Sequence, residues 1–444
     1  MANPGLTLID RFNNWRQRHL TDTAYFFLLT FIIGLFAGTA AHLLKLMIGS
    51  VTTLIHHGFH DKGVNWWFLI TPVVGILLTG LFQRYVVRVN LEHGVERLKK
   101  NLAVQKYRMT KRSLVSRMIA SSLTLGFGGS AGSEGPIAMT GASIGSNVGQ
   151  ALKLPDNMLR VLVGCGAAAG IAGIFKSSVG GAMFAFEALA MELSMIAVIG
   201  VFVACITASL TAFILSGCTT DLAFSNHPAL PAEIYPYIII LGIFTGFYSI
   251  YYTAIMRGMR NLFDSISSPW KRNLISGIIL SVLVFSFPAL YGEGYGIMGK
   301  IVNGEFQGVL NGSILSDIDL GAWSLILVAA AIILVKAFAC SSSNCGGGVA
   351  GDYAPTLFAG VITGFFFALF LNKVAGLDLP VGLFGLFGMA GVMSGSIGTP
   401  LLAIFITTEM ASAYDYFLPI CIVGFLSIII VKLFSRQPFL HRNI

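Results

Sequence analysis

Charge is scarce in this sequence. Only 11% of its 444 residues are Asp, Glu, Lys or Arg, and 55% are hydrophobic, where a soluble domain carries roughly a quarter charged residues. That balance leaves too little polar surface for a soluble body. Histidine is sparse too, and the six cysteines (Cys165, Cys205, Cys218, Cys340, Cys345 and Cys421) are scattered, most of them in apolar runs. Their placement excludes the disulfide framework of a small secreted domain and reads as buried thiols. Cys340 and Cys345 flank a serine run without neighbouring histidines, so the ligand set of a zinc site is missing. No metal or cofactor is expected.

Long apolar runs stand where the charge is missing. The stretches 24–48, 194–216, 236–255 and 414–434 are each long enough to cross a hydrocarbon core of roughly 30 Å, which needs about 20 apolar residues. The first lacks a small-residue cleavage site and is too long for a removable signal peptide, so it is expected to remain as the first span. Ten further stretches follow the same composition, at 66–82, 118–127, 137–150, 158–173, 178–190, 273–290, 323–339, 355–371, 381–393 and 399–410. Many are too short to span. Broken apolar helices exist at membrane depth only where the freed N–H and C=O groups are buried in protein or face a polar cavity. The 51 glycines, clustered at 126–135 and 346–351, fit that arrangement. The expected fold class is an all-α integral membrane protein with broken and tilted helices.

Basic residues predict the orientation. Between Arg84 and Arg117 ten basic residues face two acidic ones, Glu92 and Glu96, a net of +8 that equals the formal charge of the whole chain. This segment reads as a cytoplasmic connection against anionic lipid headgroups rather than a nucleic-acid surface. The segments 257–272 and 432–444 are also basic, whereas 217–234 and 291–319 are acidic or neutral. Counting stretches between these segments places every one on its expected side, with both termini inside.

An internal repeat adds the architecture. Residues 131–145, AGSEGPIAMTGASIG, align without gaps on 350–364, AGDYAPTLFAGVITG, with identities at Ala131/Ala350, Gly132/Gly351, Pro136/Pro355, Gly141/Gly360 and Gly145/Gly364. At nearly the same offset, 173–187 pairs with 395–409, each ending in a glutamate, Glu187 and Glu409. By the charge rule the first copy is entered from inside and the second from outside. Inverted repeats with broken helices characterise transporters whose site lies near the bilayer midplane.

Each copy sets a glycine turn just before a proline and an apolar helix, as in Gly132-Ser133-Glu134-Gly135-Pro136. Proline suits the first helical position, where its missing N–H is no loss. The neighbouring N–H groups point along the positive end of the helix dipole, and glycine lets an ion approach the backbone. Two such helix starts meeting at the midplane would hold an anion weakly enough to release it. Glu134 stands in the first turn. Its carboxylate either satisfies the helix N-terminus or competes with an anion, leaving when protonated.

On these motifs the chain resembles the CLC family of chloride channels and proton/chloride antiporters, as a divergent prokaryotic-type member. Residues 132–136 (GSEGP) match the family's gating-glutamate motif, 351–355 (GDYAP) resemble its Gly-x-Phe-x-Pro motif, and 400–409 (PLLAIFITTE) resemble a segment late in its second repeat. The resemblance runs from about residue 84 to the C-terminus. It implies a homodimer in the cell membrane with one anion pathway per subunit, carrying chloride or a similar small monovalent anion as a channel or with protons in exchange. Glu134 would be the external gate, with Gly132, Ser133, Gly135, Asp352, Tyr353 and Ala354 around the anion. One membrane domain, 1–444, is expected, with a first repeat core over about 84–216 and a second over about 236–444. No soluble regulatory domain of the kind that many members carry is expected within these 444 residues.

The departures bear on mechanism. Where the family has Gly-Ser-Gly-Ile-Pro, this chain reads Glu92-His93-Gly94-Val95-Glu96. His93 is thus either the replacement for the anion-coordinating serine or a solvated histidine in a basic loop. In the pathway its near-neutral pKa would make anion occupancy pH-dependent. Asp352 and Tyr353 stand at the family's aromatic motif, and the charge of Asp352 would oppose an anion unless it points away or caps the helix. The pathway tyrosine near the C-terminus falls at Leu440, and the internal proton acceptor that follows the position of Glu187 reads Ala188. Glu192, about one helical turn on, is either a substitute or an interfacial charge. Two rivals are weaker. A cation-coupled solute transporter would need carboxylates or carbonyl ends for its cation. An intramembrane hydrolase using Ser130 or Ser133 would need a base, and after His93 only His227 and His441 remain, neither in an apolar stretch.

Overall fold

Without water to satisfy them, backbone N–H and C=O groups in hydrocarbon must bond within their own segment, and the apolar runs accordingly fold as helices. The computed structural model describes residues 16, 18–56, 65–89, 91, 94–220, 222, 224, 228–314, 322–436 and 439–440. Among them the only β pairing is one isolated antiparallel bridge, Gly132 to Gly351. Among the same described residues eight helices are long and apolar enough to cross a membrane.

The first half runs α1 (Asp22–His56), α2 (Thr71–Leu81) with a π turn Phe82–Val87, α3 (Gly94–Ala103), α4 (Arg112–Gly126), α5 (Glu134–Ala151), α6 (Asp156–Phe175), the short α7 (Ser178–Met183) with a π turn Phe184–Ala188, and α8 (Met195–Leu215). The second half repeats that order as α9 (Tyr235–Asp264), α10 (Pro269–Ser286), α11 (Tyr295–Val302), α12 (Ala322–Cys345), α13 (Tyr353–Ala375), α14 (Val381–Ile397), α15 (Pro400–Met410) and α16 (Phe417–Phe434). Packing repeats as well: α1 lies on α6 and α8, and α9 on α14 and α16.

Two of the repeated glycine pairs serve this packing. A Cβ on Gly141 would sit 2.0 Å from the carbonyl oxygen of Gly166, and one on Gly360 would sit 2.3 Å from that of Gly388. Glycine four residues further on, at Gly145 and Gly364, meets the neighbouring backbone equally closely. These are small-xxx-small contacts that bring α5 onto α6 and α13 onto α14.

Three sequence expectations need correction. The basic segment 84–117 is no bare connection: Arg84 lies in the π turn, α3 buries Val95 and Leu98, and Arg117 is buried in α4 with Nη1 donating to the Leu91 carbonyl at 2.6 Å. Arg257 and Arg260 belong to α9, and Arg260 reaches Glu96 of α3 at 2.9 Å. Pro136 and Pro355 are third residues of their helices, not first. The first turn of a helix leaves all its N–H groups without intrahelical acceptors, so the third position tolerates proline for the same reason.

Candidate functional site

The two glycine turns meet. Gly132 N donates to the Gly351 carbonyl at 3.0 Å, and Gly351 N returns a bond to the Gly132 carbonyl at 2.6 Å. This bridge sets the N-terminus of α5 against that of α13, so two positive dipole ends converge on one point. Glu134 fills it. Its side chain is 0% exposed, and Oε1 accepts a hydrogen bond from Ala354 N, on the opposite helix. Oε2 has no hydrogen-bond partner.

Glycine is required at both bridge positions because the carboxylate occupies the space of a side chain. A Cβ on Gly132 would lie 2.2 Å from both Glu134 carboxylate oxygens, and one on Gly351 would lie 2.4 Å from Oε2. The cradle therefore accommodates one carboxyl group, and Glu134 supplies it from its own chain.

Ser133 and Gly135 flank the glutamate, and different elements hold them. Glu293 Oε1 accepts from Ser133 N at 3.0 Å and from Ser133 Oγ at 2.6 Å. On the other side α3 abuts Gly135, where a Cβ on Gly94 would meet the Gly135 carbonyl oxygen at 2.7 Å. A void of ≈ 20 Å³ remains there, lined by Gly94, Glu96, Gly135, Asn344, Gly351 and Asp352, enough for one water.

The Asp352 carboxylate turns back to the Asn344 side chain and makes no cap to its own helix. Of the alternatives left by the sequence, a helix cap is therefore not what the Asp352 side chain makes. Tyr353 is buried edge-to-face against Phe184, ring centroids 6.1 Å apart. Of the second-turn amides, the one bonded to the carboxylate belongs to Ala354.

His93 lies outside the described residues. Leu440 is buried where the chain returns to the end of α14, its N–H donating to the Ser396 carbonyl at 2.9 Å. Ala188 is a buried residue of the π turn. Glu192 is exposed and paired with Arg160 at 2.9 Å.

The repeated glutamates cap each other's halves. Glu187 accepts from Leu401 N at 3.1 Å and Leu402 N at 2.8 Å, at the start of α15. Glu409 accepts from Ser177 Oγ, from Val179 N at 3.0 Å and from Gly180 N at 3.1 Å, at the start of α7. Each carboxylate thereby satisfies the orphan donors of the partner helix.

Two ionisable side chains beside the site escaped the sequence reading. Lys336, 1% exposed in α12, donates from Nζ to Ser130 Oγ at 2.8 Å and lies 4.5 Å from the Phe358 ring centroid. Its charge attracts Glu134, while Glu293 and Asp352 repel it. Lys336 interrupts an apolar run, and an ionisable residue at membrane depth is a signal in itself. Glu293 carried a weaker one, an acid between two glycines with positive φ, Gly292 and Gly294. Lys336 beside Ser130 is a base that a count of histidines does not include. Both side chains are fully buried, which leaves Ser130 a support of the glycine turn.

Comparison with known proteins supplies the relationship. A putative chloride channel protein ClcB-like from Ralstonia nicotianae is 26% identical over 389 residues, 82% of this chain and 83% of that one. A slow cyanobacterial Cl⁻/H⁺ antiporter has the same fold, with a TM-score of 0.76 at 19% identity over 93% of this chain and 95% of that one. So does a CLC-type fluoride/proton antiporter, with a TM-score of 0.74 at 20% identity over 98% of both. The voltage-gated chloride channel family profile matches residues 74–432, and the chain belongs to that family.

Proposed function

We propose that the protein moves small monovalent anions, chloride first, across the cell membrane, with Glu134 as the gate. The observation that carries this reading is the Glu134 carboxylate bonded to Ala354 N between two bridged helix starts. An ionised carboxylate there occupies the place of an anion. Protonation removes the charge that the helix dipoles hold, the side chain leaves, and an anion takes its place among the amides of Gly132, Ser133, Gly135, Asp352, Tyr353 and Ala354.

By the charge rule Glu293 and α3 come from opposite faces of the membrane. Glu134 then separates an outer approach closed by Glu293 from an inner approach beside Gly94 and Glu96, with both chain termini cytoplasmic. Lys336 offsets the charge of three carboxylates in a low-dielectric interior. The two inverted halves, about 84–216 and 236–444, make one pathway per subunit of a homodimer. With alanine at 188 and Glu192 on the surface, a proton entering from inside has no second buried carboxylate at the usual place. Proton movement is therefore loosely coupled to anion movement, or absent.

Anion efflux from liposomes, followed at several pH values, tests the gate. Wild-type flux rises as pH falls, and Glu134→Gln gives flux that no longer depends on pH. An unchanged pH response in that variant would remove Glu134 from this role. The reversal potential in a proton gradient then separates passive conduction from exchange.

A further inference from the structure

A second cavity lies apart from Glu134, where the π turn after α2 meets the start of α10. Its volume is ≈ 470 Å³, and its wall carries Arg84, Arg88 and Arg272 beside Trp270, with no acidic side chain. Local chain geometry gathers these groups. The π turn ends at Arg88 in a left-handed conformation with φ 59°, and α10 opens on Pro269 with Trp270 and Arg272 in its first turn. Among the described residues no carboxylate pairs with Arg84 or Arg88.

The floor of the cavity is polar and fixed. Gln83 is buried there, donating from Nε2 to the Gly347 carbonyl at 2.8 Å and accepting from Leu91 N at 3.0 Å. The elements that line the cavity also carry exposed apolar side chains: Leu81, Tyr85 and Val86 on α2 and its π turn, and Leu274, Ile275 and Ile278 on α10. In a chain that spans a membrane such side chains face acyl tails.

We propose that this cavity binds the phosphate headgroup of an anionic phospholipid, whose tails lie along the exposed apolar side chains of α2 and α10. Guanidinium groups grip phosphate bidentately, and tryptophan favours the headgroup level. Basic pockets between membrane helices on the cytoplasmic side suit anionic headgroups, and the basic segment 84–117 places this one there. A free phosphate shares the headgroup chemistry, and the exposed apolar side chains on the same two elements favour the lipid. The proposal needs the chain to lie in a membrane but is independent of what it transports.

Native mass spectrometry of the full-length protein, offered equal amounts of phosphatidylglycerol and phosphatidylcholine, tests it. The wild type is expected to retain phosphatidylglycerol preferentially. Replacing one arginine by glutamine lowers that preference roughly fivefold, and replacing all three lowers it about a hundredfold. The triple variant Arg84→Lys, Arg88→Lys, Arg272→Lys keeps the charge and most of the preference, so a fold defect in the glutamine variant is distinguishable from loss of the site. Equal retention of both lipids by the wild type would overturn the proposal, as would undiminished preference in the triple glutamine variant. Displacement of the lipid by an equal concentration of glycerophosphate would show a soluble-anion site and overturn it as well.

Discussion

Gly132→Ala isolates the seat of the Glu134 carboxylate. The three atoms nearest a Cβ at 132 all belong to that side chain, 2.2 Å from each oxygen and 2.5 Å from Cδ. No backbone atom is among its nearest neighbours and no positive φ is involved, so the fold bears little cost. The carboxylate must leave, and with it goes the charge-assisted bond from Ala354 N. Such a bond contributes about 1.5–3 kcal/mol, which is roughly a ten- to hundredfold shift away from the blocking position. In liposome efflux at a pH where the wild type is slow, Gly132→Ala is expected to be faster by about that factor and much less sensitive to pH. The effect acts through Glu134, so it vanishes in a Glu134→Ala background, as a double-mutant cycle detects. Wild-type efflux and pH response in the single variant would refute the reasoning. So would an undiminished effect of the methyl group when Glu134 is already alanine.

Other consequences follow from the same geometry. Glu293→Gln keeps a hydrogen-bond acceptor for Ser133 but removes a titrating carboxylate beside the gate. External acidification is expected to accelerate its flux less steeply than that of the wild type, with the internal pH response intact; identical external titrations would exclude Glu293 from the outer approach. Glu409→Ala removes the acceptor of Ser177, Val179 and Gly180, and is expected to destabilise by about 3 kcal/mol. Glu187→Ala removes two bonds from a half-exposed carboxylate and is expected to cost about half as much. Thermal unfolding in detergent gives the order, and Glu187→Ala melting below Glu409→Ala would contradict it.

The elements themselves were legible because their cause is local. Each of the fourteen apolar stretches became a helix, and the Gly132/Gly351 identity marked the two turns that touch. What periodicity missed were α3 and α11, short helices of 10 and 8 residues, too short to announce themselves by an apolar run. Glu134 was found because a charge inside an apolar context is costly and therefore informative. Lys336 meets the same criterion and was missed because its run was read as continuous. Glu293 is 160 residues from Ser133, and no local pattern reports such a pairing.

The paired glutamates show the division most clearly. Sequence alignment marks Glu187 and Glu409 as equivalent ends of two copies, but which helix each one caps depends on how the copies face each other. Only the folded chain reveals that each caps the other's half. The sequence by itself determined the solvent, the helices, the inverted repeat and the residue at its turn, because hydrophobicity, proline and glycine act over a few neighbouring residues. Tertiary structure alone decided that Asp352 turns away toward Asn344, that Ala354 supplies the amide, and that Lys336 and Glu293 join the site. Those are contacts of side-chain length between distant segments, set by the packing of whole helices.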